Sequence, residues 1–390
     1  MSFSTAGPLI PEKYRRYAQA FRNKGLVAIS IAYNRFQSEL VDGDQINFPY
    51  LSDLQREAYA AGGTITFPSN VSTQDSLVVD QREVVPFSVD VAQLRQSASD
   101  FEAQYAEQSV YQLNNGVDQA VLSDGVANAL GTVAGGTLTS GTIFNVVSDS
   151  RAVLRRQNAG AGKEFLVVDP ERAALIEQSG LANGFNVSDS IFRNGFAGSF
   201  NGMMTYVSNN LPNSVTLSAP VNITNTNTMT LAGVVWTFVT NGTATAAGEI
   251  SIGASAAATQ ANIVLAINGT GTPGASTYID VSADDRALLA NESFAITAFA
   301  ANVATISANN KIDATQTFTA GGNEFGTETT SLLLGKVGAV CCGMQMSPQL
   351  FNAPASDTAG IVINYAAHQL YGVKTFERDK NRLVAITANA

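Results

Sequence analysis

Charged side chains are scarce in this chain: they make up 14% of its 390 residues, against 45% apolar ones. Such a chain is globular, not disordered, and is long enough for two or three domains with their own cores. A large surface with few charges is what proteins carry when neighbours cover much of it. Histidine occurs once, at His368, which excludes a His-based metal site and an internal histidine pair. A triad centred on His368 would need a nucleophile elbow, and no G-x-S-x-G is present. The two cysteines, Cys341 and Cys342, are adjacent, so there is neither a disulfide framework nor a zinc spacing. In GAVCCGMQM they read as two small buried hydrophobes, with a strained vicinal disulfide as the alternative.

Long apolar runs are missing too. No stretch of about 18 apolar residues occurs, since Lys336 interrupts the most tempting one. The opening MSFSTAGPLIPEKYRRYAQAF lacks the apolar core of a signal peptide, so folding in a reducing cytoplasm is expected. The Asn-x-Ser/Thr triplets at Asn70, Asn186, Asn222, Asn241, Asn268 and Asn291 are then a by-product of composition. Positive charge is short as well, with 22 basic against 32 acidic residues and a formal net charge of −10. That balance repels nucleic acid and offers no basic stripe, which argues against a sequence-specific DNA or RNA binder. It does not exclude a protein that encloses nucleic acid without gripping it.

What is present is a succession of mixed elements. Residues 11–40 read as helical, with Tyr14, Tyr17, Phe21, Leu26, Ile29, Tyr33 and Phe36 at three- and four-residue steps. GDQINFPYLSD, 43–53, alternates like a strand, with Ile46, Phe48 and Tyr50 on one face. Pro49 suits it to an edge or an exposed arm, and SLVVDQREVVPF brings the chain back. A two-stranded ribbon is marginal in water, so it needs a partner surface, and nothing nearby in the sequence provides one. A long helix is expected from an N-cap at Asp90, with Leu94, Ala98, Phe101 and Tyr105 forming a stripe continued by Leu113, Val117 and Val121. After a small-residue loop, GTVAGGTLTSG, come a helix at 142–158, the strand EFLVVDP, a helix begun by Pro170, and a strand and turn at 200–212. Residues 213–330 change in composition: Thr, Ala, Asn and Gly dominate, short strands follow one another, and one helix is capped by Ser255. From 331 the earlier character returns and the chain closes on paired strands.

No catalytic constellation emerges. NAGAGKEF, 158–165, imitates a phosphate loop, but Gln157 stands where the first glycine belongs and Glu164 follows Lys163, so it reads as a turn before a strand. Asp284 and Asp285 are adjacent and their carboxylates diverge in strand or helix alike.

The order of these segments resembles the major capsid proteins of tailed double-stranded DNA bacteriophages, which share the Hong Kong 97-like fold. GDQINFPYLSD with SLVVDQREVVPFSVD looks like the extended loop of that family, and VAQLRQSASDFEAQYAEQSVYQLNNGVDQAVL like its spine helix. VVDPERAALIEQSG and GSFNGMMTYVSNNLP look like the axial domain, and FNAPASDTAGIVINYAAHQLYGVKTFERDKNRLVAI like the terminal strands. The resemblance covers about 1–212 and 331–390, with 213–330 looking like the insertion domains of some short-tailed phages. It implies an α+β chain divided into an N-terminal arm (1–40), an extended loop (41–88), a peripheral domain with the spine helix (89–140), the axial domain in two parts (141–212 and 331–360), a β-rich insertion (213–330) and C-terminal strands (361–390).

It also implies a function: a non-enzymatic shell subunit without cofactor or metal, forming pentamers and hexamers of an icosahedral virion head that encloses double-stranded DNA. Assembly would be a head-to-tail homo-oligomer built in the host cytoplasm, helped by a separate scaffolding protein, a portal and, where one binds, a decoration protein. The extended loop would lie on a neighbouring copy, so Ile46, Phe48, Tyr50, Leu54 and Tyr59 should face that copy. Arg56 and Arg82 would make ion pairs between subunits or stay solvated. Family members that cross-link covalently use a loop lysine; 41–88 has none, so a non-covalent shell is expected. Two other readings stand beside it: the shell of a cellular nanocompartment with the same fold, and a secreted adhesin or sugar-binding module built on the strands of 213–330.

Overall fold

The computed structural model describes residues 25–34, 40, 43–51, 56, 58, 61, 72–90, 101–182, 199–353 and 362–389. The first elements are a single helical turn, α1 (Ala28–Ile31), and three strands, β1 (Gln45–Leu51), β2 (Ser72–Val78) and β3 (Gln81–Asp90). The long helix α2 (Phe101–Ala127) leads to β4 (Gly131–Thr137), α3 (Ile143–Arg156), β5 (Glu164–Val168) and α4 (Pro170–Ala182). Two short strands follow, β6 (Ser199–Phe200) and β7 (Met203–Val207). The next stretch holds β8 (Asn213–Ser218), β9 (Thr228–Leu231), β10 (Val234–Val239), β11 (Glu249–Ser251), α5 (Ala256–Asn268) and α6 (Ala283–Asn291). It ends with β12 (Ala295–Ile296), β13 (Val303–Ala308), β14 (Thr315–Gln316) and β15 (Glu324–Phe325). The chain closes with β16 (Thr329–Lys336), β17 (Val340–Ala353), β18 (Val362–Thr375) and β19 (Leu383–Asn389).

The largest sheet is organised around β16, which pairs antiparallel with β5, β19 and β8; β7 joins β5 and β4 joins β19, both parallel. Leu332, Leu333 and Leu334 on β16, Phe165–Val168 on β5 and Val384 and Ile386 on β19 are all buried. Such continuous apolar runs belong to strands covered on both faces. Ile143, Val147 and Leu154 of α3 and Val117, Val121 and Leu122 of α2 complete this core.

A second sheet, ordered β17–β18–β3, is covered on one side only. Tyr365, Ala367, Gln369 and Tyr371 of β18 are buried, while the alternating Ala366, His368 and Leu370 are half-buried. The period of two places the first set against α2, where Gln369 Nε2 donates to the Leu113 carbonyl at 2.7 Å. Residues 215–312 supply a separate core around Trp236, Phe238, Ile250, Ile263, Tyr278 and Ile306. In α5 Ser255 accepts from the Ala258 amide as N-cap and Gly269 closes the helix at φ 61.

Several expectations are corrected. Asp90 is the last residue of β3 and helix is described from Phe101; the helix start expected just after Asp90 lies outside the described residues. Of the stripe residues whose burial is described, Leu113, Val117 and Val121 are buried, while Tyr105 is 45% exposed and lies 5.8 Å from the Phe87 ring. Residues 25–34 hold only the one turn of α1; the helix expected over 11–24, and the stripe residues Leu94 and Ala98, lie outside the described residues. The loop expected at 131–141 is strand for seven residues, because Gly131 and Gly135 let β4 run close to β19: a Cβ on Gly131 would stand 2.9 Å from Val153 and 3.0 Å from Val384. A second helix, α6, occurs where only one was expected; Ser282 caps it, with Asp284 and Asp285 in its positive first turn. TYIDV makes a single bridge, Tyr278 to Ile250, instead of a strand.

Candidate functional site at the root of the ribbon

β1 and β2 form an antiparallel ribbon in one register, from Gln45 opposite Val78 to Leu51 opposite Ser72, with no third strand beside them among the described residues. Gln45, Asn47, Pro49 and Leu51 are exposed, whereas Ile46, Phe48 and Tyr50 are half-buried. The half-buried face leans on this chain's own turn after β18. Phe48 meets Phe376 edge-on at 4.9 Å between centroids, and the Arg378 guanidinium lies over the Tyr50 ring at 5.0 Å. Arg378 also donates to the Leu51 carbonyl.

Asp75 of β2 fixes the other strand. It pairs with Lys374 at 2.7 Å and accepts from the Glu377 amide at 2.9 Å and the Ser76 amide at 2.9 Å. Burial acts to raise its pKa, but the bonds from Lys374, Glu377 and Ser76 together prevail and hold the carboxyl below its ordinary value. Between ribbon and turn lies a cavity of about 440 Å³, lined by Tyr33, Phe48, Tyr50, Cys341, Phe376 and Arg378 among others.

At its base the ribbon crosses β18 with no room to spare. A Cβ on Gly372 would collide with the Val78 carbonyl, and one on Gly343 would stand 2.6 Å from Leu40 and 2.9 Å from Leu77. Beyond this crossing the chain changes partner, leaving β1 to pair through β3 with β18. Glu83 of β3 accepts from Tyr371 Oη at 2.7 Å and Gln369 Nε2 at 2.9 Å, in space that Gly116 of α2 leaves open.

A second polar junction holds the start of the described chain. Asp118 of α2 is fully buried and its Oδ1 accepts from the amides of Val27 and Ala28, each at 2.7 Å. Its Oδ2 accepts from Asn210 Nδ2 at 2.8 Å and lies 3.4 Å from Ser208 Oγ. Burial raises the Asp118 pKa, against the lowering effect of these bonds.

The expected contact residues therefore divide. Ile46, Phe48 and Tyr50 share one face, Arg56 is exposed, and Arg82 is exposed on β3, away from the ribbon; neither arginine makes an ion pair among the described residues. Leu54 and Tyr59 lie outside the described residues. Asp75, Lys374, Phe376, Arg378 and Asp118 were not singled out in the sequence. Asp118 had one signal: a carboxylate beside Val117 on the stripe that α2 buries. The cysteines are free thiols, both buried, and burial pushes Cys341 up to about 12 and Cys342 to about 11. Among the described residues no His, Cys, Asp and Glu side chains converge as a metal site, and no helix is long and apolar enough to cross a membrane.

No family model matches the chain, and no curated protein matches it in sequence. Solved structures do match in fold. A structure from Mycobacterium phage Che8 aligns at 13% identity with a TM-score of 0.59, over 98% of both chains. The capsid structure of cyanophage P-SCSP1u aligns at 10% identity and TM-score 0.52, over 98% of this chain and 94% of that one. A structure from Gordonia phage Cozz aligns at 10% and 0.52, over 98% and 92%. Over nearly its whole length this α+β chain has the fold of a phage capsid structure.

Proposed function

We propose that this chain is the major capsid subunit of a tailed bacteriophage, assembling head to tail into pentamers and hexamers of a virion shell around double-stranded DNA. The observation that carries the reading is the fold shared end to end with phage structures, at 98% coverage of both chains in the best-aligned case quoted. The ribbon supports it. One face of it is tied to its own subunit by Phe376, Arg378 and Lys374, while the side chains of Pro49 and Leu51 on the other face are exposed. An arm held on one face and, among the described residues, uncovered on the other is suited to receive or reach a neighbouring copy. In this reading 41–88 is the extended loop, α2 the spine, the β16 sheet the axial core, and 213–330 an insertion. A scaffolding protein and a portal act as separate partners.

Electron microscopy of the purified protein, expressed with and without its neighbouring genes, tests the proposal. Closed shells or regularly curved sheets are expected. Discrete monomers or small oligomers, even with a scaffold present, would overturn it.

A further inference from the structure

The loop that imitates a phosphate loop in the sequence reappears in the fold with unexpected neighbours. Arg155 and Arg156 close α3 and are exposed, as is Lys163 at the far end of the loop. The loop is tied down by residues far along the chain. Lys336 donates through Nζ to the Gly160 carbonyl, and the Val337 amide donates to the Lys163 carbonyl at 3.0 Å. Asn381 Nδ2 donates to the Gln157 carbonyl at 3.3 Å, and Arg382 donates to the Val337 carbonyl at 3.3 Å. Lys163, Lys336 and Arg382 thereby meet at one end of the β16 sheet, with Arg155 and Arg156 at the adjoining end of α3. Nearby charges cancel in pairs, Asp379 with Arg382 at 3.0 Å, Glu377 with Lys380 at 2.5 Å and Glu164 with Arg151 at 2.6 Å, while Arg155, Arg156 and Lys163 make no ion pair among the described residues. In a chain of net charge −10 this is a local reversal of sign.

The backbone adds donors to the charge. Asn158, Gly160 and Gly162 take positive φ of 55°, 67° and 153°, and the residues between them are alanines. Gly160, Ala161 and Gly162 are exposed, and among the described residues no acceptor takes their N–H groups. Small side chains leave those amides within reach of an oxyanion, and successive free amides with cations around them make an anion-binding concavity. Lys163 is followed by Glu164 and not by a hydroxyl, so the magnesium-bound nucleotide of a true phosphate loop is not the ligand. A phosphodiester backbone, bound as a string of monoanions, fits better.

We propose that residues 155–163, with Arg155, Arg156 and Lys163 as the free cations and Lys336 and Arg382 bracing the loop, form a phosphate-contacting patch through which the subunit touches the backbone of the enclosed duplex, without reading its sequence. This rests on the capsid reading and deepens it: the shell grips its contents weakly at one point per subunit instead of repelling them everywhere.

The test is fluorescence anisotropy of a short labelled DNA duplex of arbitrary sequence titrated with the purified, unassembled chain. Engagement of three phosphates corresponds to an affinity drop of about 40-fold between about 50 and 200 mM salt. The Arg155→Glu, Arg156→Glu, Lys163→Glu variant should lose at least about tenfold in affinity at low salt and show a flatter salt slope. The corresponding triple glutamine variant should fall between the two. All three side chains are exposed, so melting of both variants should match the parent. No binding by the parent chain at low salt, or unchanged binding by the charge-reversed variant, would overturn the patch. Shell formation is scored separately by electron microscopy. Shells from a chain without affinity for DNA would remove the patch and leave the capsid reading standing. Patch-dependent binding by a chain that never forms shells would support the patch and remove that reading.

Discussion

Replacing Asp118 with alanine removes four described hydrogen bonds at one buried point. The amides of Val27 and Ala28 and the Nδ2 of Asn210 lose their acceptor from 2.7 or 2.8 Å, and Ser208 Oγ loses a longer one at 3.4 Å. Hydrogen bonds to a charged group are worth about 1.5–3 kcal/mol each, and donors left buried without a partner carry a desolvation penalty. Against that, the variant no longer buries a carboxylate, and the bonds are not additive. A net loss of about 2–4 kcal/mol is expected, from neutral donors left buried without an acceptor. Asp118→Asn should lose roughly half of that, since its Oδ1 still serves both amides while its Nδ2 confronts Asn210. The assay is a urea titration together with hydrogen exchange of the segment 25–34, whose protection should fall further than that of β16. The pH dependence has a definite sign. Burial raises the folded-state pKa of Asp118, so its contribution is fullest below its ordinary 3.8 and declines as pH rises through the folded value. Asp118→Asn should abolish that decline. An alanine variant with an unmoved midpoint and wild-type exchange at Val27 and Ala28 would refute the reasoning.

Phe48→Asp exchanges the edge contact with Phe376 for a carboxylate near Asp75; because Phe48 is half-buried, the subunit should lose only about 0.5–1.5 kcal/mol of aromatic pairing, yet shells seen by microscopy should disappear. Gly372→Ala drives a methyl into the Val78 carbonyl and should cost about 1–3 kcal/mol in thermal melting, since backbone and not a flexible side chain has to move. Asp75 behaves oppositely to Asp118: its folded pKa is depressed, so its contribution holds above its ordinary 3.8 and is lost as pH falls through the folded value. Lys374→Met should weaken that acid sensitivity in exchange measured on β1, the amides of Glu377 and Ser76 retaining part of it. Cys341 and Cys342, pushed up to about 12 and 11, should resist a thiol reagent at pH 8 until the chain is unfolded.

The elements that were legible in the sequence are those whose cause is local. β5 announces itself as a short apolar run, α3 by its spacing, and α5 by a serine cap followed by an apolar series. α6 was missed because Leu289 is its only buried residue, so no stripe marks it. β4 was missed for the opposite reason: its glycines make sense only once α3 and β19 are known to press on it. Strand parity correctly put Ile46, Phe48 and Tyr50 on one face, but the footing for that face is supplied by residues more than 300 positions later, as the bond from the Glu377 amide to Asp75 illustrates. The basic patch is hidden in the same way, its members scattered from Arg155 to Arg382. Periodicity reads one element at a time; both sites exist only where elements meet.

The stretch that begins with β8 and ends at β16 leaves and re-enters the large sheet on adjacent strands, Ser214 opposite Thr329 and Asn213 opposite Thr330. Its two stems are stitched to each other before anything is built between them. The sheet does not stop at that seam: β8 passes on to β13 and β12, so one continuous sheet carries both hydrophobic cores. The stretch is also moored away from the seam, to α2 through Gln119 and the Asn291 carbonyl at 2.8 Å and to α4 through Lys311 and Glu171 at 2.6 Å, so a push on either core is passed to the other.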